Sequence, residues 1–194
     1  MVYHLKNTLS AITPKTSIAV DTNILLWTFY DNISYTNVQN YQKNIYPQFL
    51  TTVLLDKRNK LYTTISNIFE MFNIIENIEY RIYLEQNNLS EINVKKKDFR
   101  KINEERGKLK EKLNLLYKQI STAIQILDSD TNKIFLENYM FNFEKHKYDI
   151  YDFSLINTCI KNNIKNVLTD DSDFSSYSYL INNLNIITAN NNLN

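Results

Sequence analysis

The sequence predicts an α/β protein in three layers: a central, mostly parallel sheet, helices on both faces, and a long helical segment inserted between the two halves. Three observations carry this expectation. Short β-rich runs alternate along the chain with stretches of helical period. Three of those runs are followed at once by a polar or acidic residue and then a helical pattern, the rhythm of strand, turn and crossover helix. Finally, about 81–147 separates the halves by more chain than a connecting loop needs.

Taken in order, "TSIAV" at 16–20 is the first strand, closed by Asp21. "TNILLWTFY" opens a helix, with Leu25, Leu26 and Trp27 supplying its buried face. Residues 36–57 are helical by pattern, interrupted or started near Pro47. "LYTTI" at 61–65 is the second strand, and Ser66-Asn67 reads as the N-cap of "IFEMFNIIENI", which places Glu70 in the first turn. A long helix is expected over about 97–128, because Leu109, Leu113, Leu116, Ile120, Ala123 and Leu127 follow alternating steps of four and three. Residues 149–163 form an amphipathic helix, with Asp149 and Asp152 on one face and Phe153, Ile156 and Ile160 on the other. The strand "NVLT", an acidic turn, a short helix near 176–183 and the strand "NIIT" at 185–188 follow. The tail "ANNNLN" is expected to be disordered, and the whole, 1–194, to be one domain.

Composition removes several function classes. A single glycine, Gly107, cannot build the glycine-rich phosphate loops of dinucleotide or P-loop proteins. Only His4 and His146 are present, neither in a setting that suggests a Ser-His-Asp triad or a zinc site. The lone Cys159 lies among apolar neighbours and reads as a core thiol. No apolar run reaches membrane-spanning length, and the first residues lack the apolar centre of a secretory signal, so a cytoplasmic protein without membrane association is expected. Any catalysis falls to carboxylates.

The sequence crowds them in "LTDDSDF", where Asp170, Asp171 and Asp173 follow an apolar run. Like charges so close raise one another's pKa unless water, helix-terminal amides or a cation offsets the repulsion. Such residues commonly cap a following helix. The alternative is metal binding, and placement favours it: in a parallel sheet the crevice lies beyond the carboxyl ends of the strands. Asp21 ends the first strand, Glu70 opens the helix after the second, and the acidic turn follows the third. Asp149 and Asp152 supply the remaining side.

These residues resemble the PIN-domain nuclease family. "SIAVDTNILL" is similar to its opening strand with the Asp-Thr-Asn signature, "TTISNIFEM" to its glutamate-bearing helix, "YDIYDFSLINTCI" to its third acidic helix, and "VLTDDSDF" to its closing Thr-x-Asp-x-Asp-Phe motif. The resemblance covers about 16–80 and 148–188. It implies that Asp21, Glu70, Asp152 and Asp171 are metal-binding and catalytic carboxylates, with Asp173 a supporting fifth and Asp149 able to replace or assist Asp152. Asn23 and Thr169 would orient them by hydrogen bonding, and Asp170 would be a turn residue. Hard oxygen donors suit Mg²⁺ or Mn²⁺. The family pattern implies hydrolysis to a 5′-phosphate and a 3′-hydroxyl, RNA before DNA as substrate, a toxin paired with an antitoxin, and a homodimer.

The stretch at 81–147 lies outside the resemblance. Residues 95–118 hold ten Lys or Arg against four Asp or Glu, a polarity hidden by the chain's formal charge of +1. Lys95, Lys96, Lys97, Arg100, Lys101, Arg106 and Lys108 are the candidates to hold a phosphate backbone; a solvated helix face or a surface for a protein partner are the other readings. Tyr80, Tyr83, Tyr117, Tyr148 and Tyr151 read as packing residues before base-stacking ones. Two functions are thus in view. One is a Mg²⁺- or Mn²⁺-dependent endoribonuclease; the other is a non-catalytic module of the same fold that binds RNA or a protein through its helical insertion.

Overall fold

The computed structural model describes residues 1–5, 15–144, 147–174 and 184–193. Among the described residues the frame is one sheet of six strands: β1 (Val2–His4), β2 (Ser17–Val20), β3 (Lys60–Thr64), β4 (Gln125–Leu127), β5 (Asn166–Leu168) and β6 (Asn185–Thr188). The spatial order is β1-β6-β5-β2-β3-β4, and every neighbouring pair is parallel. The described helices are α1 (Thr22–Phe29), α2 (Asn40–Leu55), α3 (Ile65–Gln86), α4 (Lys96–Phe99), α5 (Asn103–Ala123), α6 (Lys133–Asn142) and α7 (Ile150–Lys161). Among the described residues no helix is long and apolar enough to cross a membrane.

Side-chain alternation along the strands sorts the core into two layers. Ile18, Val20, Leu61, Leu168 and Ile187 join one cluster with Ile24, Phe49, Met71 and Ile120, so α1, α2, α3 and α5 cover that face. Ala19, Val167 and Ile186 join another with Phe135, Phe153 and Ile156, so α6 and α7 cover the opposite face. The expected three-layer α/β/α arrangement is the one observed. Cys159 is packed in the second layer, and burial pushes its thiol up to about 12.

The chain leaves central β2 for β3 and β4 on one side, then returns to β5 and β6 on the other. That reversal opens a crevice at the carboxyl ends of β2 and β5. Asp21 donates its amide to the Leu168 carbonyl (3.1 Å), which ties the two strand ends together at the crevice.

Several sequence expectations change. The helix expected over 97–128 is broken at 100–102 and stops at Ala123; Ile124 is extended, and Gln125–Leu127 pair with Tyr62–Thr64 as an edge strand. Its apolar seam is real, since Leu109, Leu116 and Ile120 are buried, but it packs on this molecule's own core. β1, at the other edge, is also new. Helix α3 begins earlier than expected, with Thr64 as N-cap accepting from the Asn67 amide (3.2 Å), so Glu70 lies beyond the first turn. Pro47 falls inside α2 without ending it. Ile160 is 51% exposed rather than part of the buried face of α7. The tail folds back instead of being disordered: Leu193 is fully buried, and Asn190 Nδ2 donates to the Asp170 carbonyl (2.7 Å). The helix expected near 176–183 and His146 lie outside the described residues.

Gly107 sits inside α5 with no positive φ, and nothing lies within 4 Å of where a Cβ would stand. Glycine there carries its helix penalty without a compensating steric need. Gly107→Ala is expected to raise stability by about 0.5–1 kcal/mol, read as a shift of the urea midpoint at unchanged slope.

Candidate functional site

Four segments reach the crevice. Asp21 is both the end of β2 and the N-cap of α1; it is 3% exposed. Its Oδ1 accepts from the Thr22 amide (2.6 Å) and its Oδ2 from Thr169 Oγ1 (2.9 Å). Thr169 Oγ1 also accepts from the Asp171 amide (3.0 Å), so one hydroxyl links the first strand's carboxylate to the acidic turn. Asp171 Oδ1 in turn accepts from the Asp173 amide (2.8 Å).

Glu70 is oriented by a relay that starts at the cap of its own helix. Asn67 Nδ2 donates to Thr22 Oγ1 (2.8 Å), and Thr22 Oγ1 donates to Glu70 Oε2. Thr64 Oγ1 donates to Asn67 Oδ1 and fixes the amide's orientation. The supports of the cluster are therefore Thr22, Asn67 and Thr169. Asn23 is partly buried, and among the described residues its side chain forms no hydrogen bond to these carboxylates.

The fourth carboxylate comes from the start of α7. Asp149 is not on the helical face with Asp152; it is the N-cap, accepting from the amides of Tyr151 (2.8 Å) and Asp152 (2.9 Å). Asp152 completes the capping box by accepting from the Asp149 amide (3.3 Å). A hydrogen bond from Ser154 Oγ to Ser66 Oγ (3.0 Å) holds α7 against α3.

These groups perturb one another. Burial raises Asp21 to about 7, against the hydrogen bonds from Thr169 and Thr22, and Asp171 and Asp149 add to the rise. Burial raises Glu70 to about 7, with Asp21, Asp149 and Asp171 contributing. Asp152 is raised to about 9 by burial and by the same three neighbours. Asp171 is raised as well, by burial and then by Asp173, Asp149 and Asp170. Among the described residues no three His, Cys, Asp or Glu side chains converge closely enough to form a finished metal cage. The donor set nonetheless fits a hard divalent cation: oxygen throughout, several carboxylates in mutual electrostatic reach, and no nearby Lys or Arg among their influences.

Sequence reasoning missed Asp170. Far from a simple turn residue, it is 8% exposed and accepts from Tyr41 OH (2.9 Å), Gln42 Nε2 (2.6 Å) and Tyr46 OH, all on α2. Burial and this contact push the Tyr41 hydroxyl up to about 12. The signal was present only as two tyrosines five residues apart on a helix far away in sequence.

The basic candidates are divided by the structure. Glu76 of α3, nearly buried, binds Lys96 (3.0 Å), Arg100 (2.5 Å) and Arg106 (3.1 Å). Lys101 pairs with Asp98 (2.8 Å) and Lys108 with Glu104 (2.7 Å) and Glu105 (2.8 Å). Among the described residues Lys95 and Lys97 form no such pair. Tyr80 is buried and donates to the Val94 carbonyl (2.6 Å), and Tyr148 stacks on Phe153 at 5.8 Å.

Compared with protein families, residues 18–179 match the family model described as PIN domain, a span that includes the 81–147 segment. No curated protein matches the chain.

Two outcomes follow from the site. Acids raised on folding stabilise the protein at low pH, below their ordinary range, and that stability is lost as pH rises through the folded values of about 7 to about 9. Glu76, lowered to about 2, contributes with the opposite sign but only below its ordinary value of 4.5. In EDTA, urea midpoints should therefore fall between pH 5.5 and 8.5, and Asp152→Asn should flatten the decline. Asp170→Ala, which leaves the buried Tyr46 hydroxyl without this acceptor, is expected to cost about 2–4 kcal/mol in the same measurement.

Proposed function

The chain belongs to the PIN-domain family, a fold of nucleases that act on nucleic acids generally with divalent metals, and from that premise we propose that it is a Mg²⁺- or Mn²⁺-dependent endoribonuclease. One observation carries the proposal: the charges of Asp21 and Asp171 act on both Glu70 and Asp152 at the carboxyl edge of the sheet, and Thr22 and Thr169 orient three of the segments that bear these four carboxylates.

Asp21 and Asp171 would hold a cation jointly, since Thr169 fixes both, while Glu70 and Asp152 would close the opposite side. Asp149 would act through Asp152 by capping α7, and Asp173 through Asp171. When bound, such ions supply activation of a water for in-line attack on phosphorus and stabilisation of the leaving oxygen. The chain's own residues supply placement: Asp21 and Glu70 are held in fixed rotamers by hydroxyl donors, so little side-chain freedom remains to be lost on binding. The raised pKa values of all four favour a proton on at least part of the cluster near neutrality, so cation binding should release protons and strengthen as pH rises.

RNA is the proposed substrate class, with DNA as the alternative, and a toxin role with an antitoxin partner would follow the pattern of small bacterial members. Asp21→Asn and Asp171→Asn are expected to remain folded, to lose Mn²⁺ binding in a calorimetric titration, and to cut labelled RNA at least 100-fold more slowly than wild type, on the order of 2.7 kcal/mol in the barrier. Wild-type cleavage by both variants would overturn the assignment.

A further inference from the structure

The nuclease reading leaves open where a strand lies once its scissile phosphate is in place, and the following inference rests on that reading. Much of the basic stretch is already ion-paired: Lys96, Arg100 and Arg106 share Glu76, Lys101 pairs with Asp98, Lys108 with Glu104 and Glu105, and Lys112 with Glu79. A cavity of about 280 Å³ brings Lys95, unpaired among the described residues, together with Arg81 of α3. It is lined by Asn77, Tyr80, Arg81, Glu91, Lys95 and Lys96, between the second half of α3 and the chain leading into α4. Arg81 and Lys95 are exposed, and neither forms an ion pair among the described residues. Lys96 is held by Glu76, so Arg81 and Lys95 stand as two cations against the one lining carboxylate, Glu91, and the cavity carries net positive charge.

Its position on α3 connects it to the acidic centre. Glu70, Asn77 and Arg81 are spaced by seven and four residues, which brings all three onto one stripe of the helix. Asn73 and Asn77, on or beside that stripe, are exposed. At about 1.5 Å of rise per residue, Arg81 lies about 16 Å along the axis from Glu70. We infer that this cavity is a phosphate subsite for a single strand, engaging the backbone a few nucleotides from the scissile phosphate through Arg81 and Lys95. Arginine offers a planar fork matched to a phosphate and Lys95 a mobile point charge. Asn73 and Asn77 give the intervening strand neutral hydrogen-bonding groups in place of charge.

The test measures binding of a short fluorescein-labelled RNA, and of the DNA of the same sequence, in EDTA by anisotropy across a salt series. Alongside runs Mn²⁺-dependent cleavage of the same strands. Arg81→Ala/Lys95→Ala is expected to weaken binding at least tenfold and to reduce the slope of log K against log salt by about 1.4, the loss of two neutralised phosphates on a single strand. Lys110→Ala/Lys118→Ala removes the same charge from exposed positions of α5 outside the cavity and is expected to leave affinity within twofold. Wild-type affinity in the first variant, or equal weakening in the second, overturns the subsite while leaving the nuclease reading intact. Selective weakening with no cleavage of either strand by wild type sustains the subsite and overturns the nuclease reading. If wild type neither binds nor cuts either strand, both fall.

Discussion

The site depends on a carboxylate that is not one of its proposed ligands. Asp170 is buried under three donors from α2, and its backbone carbonyl is held by Asn190 after β6. These contacts fix the course of the chain as it leaves β5. Only then can Thr169, one residue earlier, bridge to Asp21, and Asp171, one residue later, face the other acids. Two adjacent aspartates thus have opposite fates. One is satisfied by neutral donors and becomes structural; the other stays among like charges and is raised in pKa. Neutral donors suit this role, because a lysine or arginine so near the crevice would cancel the negative field that a divalent cation needs.

The same division governs the basic half of the chain. Glu76 occupies a nearly buried position on α3 and draws in Lys96, Arg100 and Arg106 from three successive segments. A small satellite core of Tyr80, Leu84 and Phe99 closes beside it. The charge of the 95–118 stretch therefore first anchors α4 and the start of α5 to the body, where removing the one carboxylate would leave three cations without their common partner. What is left for a ligand is a narrower set than the count of lysines and arginines implies.

Central features of the fold were legible because their signals are local. β2, β3, β5 and β6 each combine a β-rich run with a polar or acidic residue at or just after the end, and their order alone implies a parallel sheet with a crevice at the carboxyl edge. The two edge strands were not legible. Each has three residues, too few for a period, and β4 continues the four-three spacing of α5 through Leu127, so periodicity alone cannot show that the backbone becomes extended at Ile124. Burial of Asp170 and pairing at Glu76 were hidden for a different reason: their partners are about 130 and 20–30 residues away, and an Asp in a turn or a Glu in a helix carries no mark of who will meet it. Asp149 was misread on spacing, since residues three apart are equally a helical pair and the two ends of a capping box.

The pairing of β1 with β6 has a consequence for how the protein comes into being. Val2 is in register with Ile186, so β1 cannot pair until β6 has been synthesised. At about 5–20 residues per second that interval is roughly 10–40 s. Asp171 and the Asp170 anchor also arrive late, after α1, α2 and α3 have had time to pack. A nascent chain therefore carries Asp21 and Glu70 for about a hundred residues of synthesis before the turn that completes the acidic edge is made.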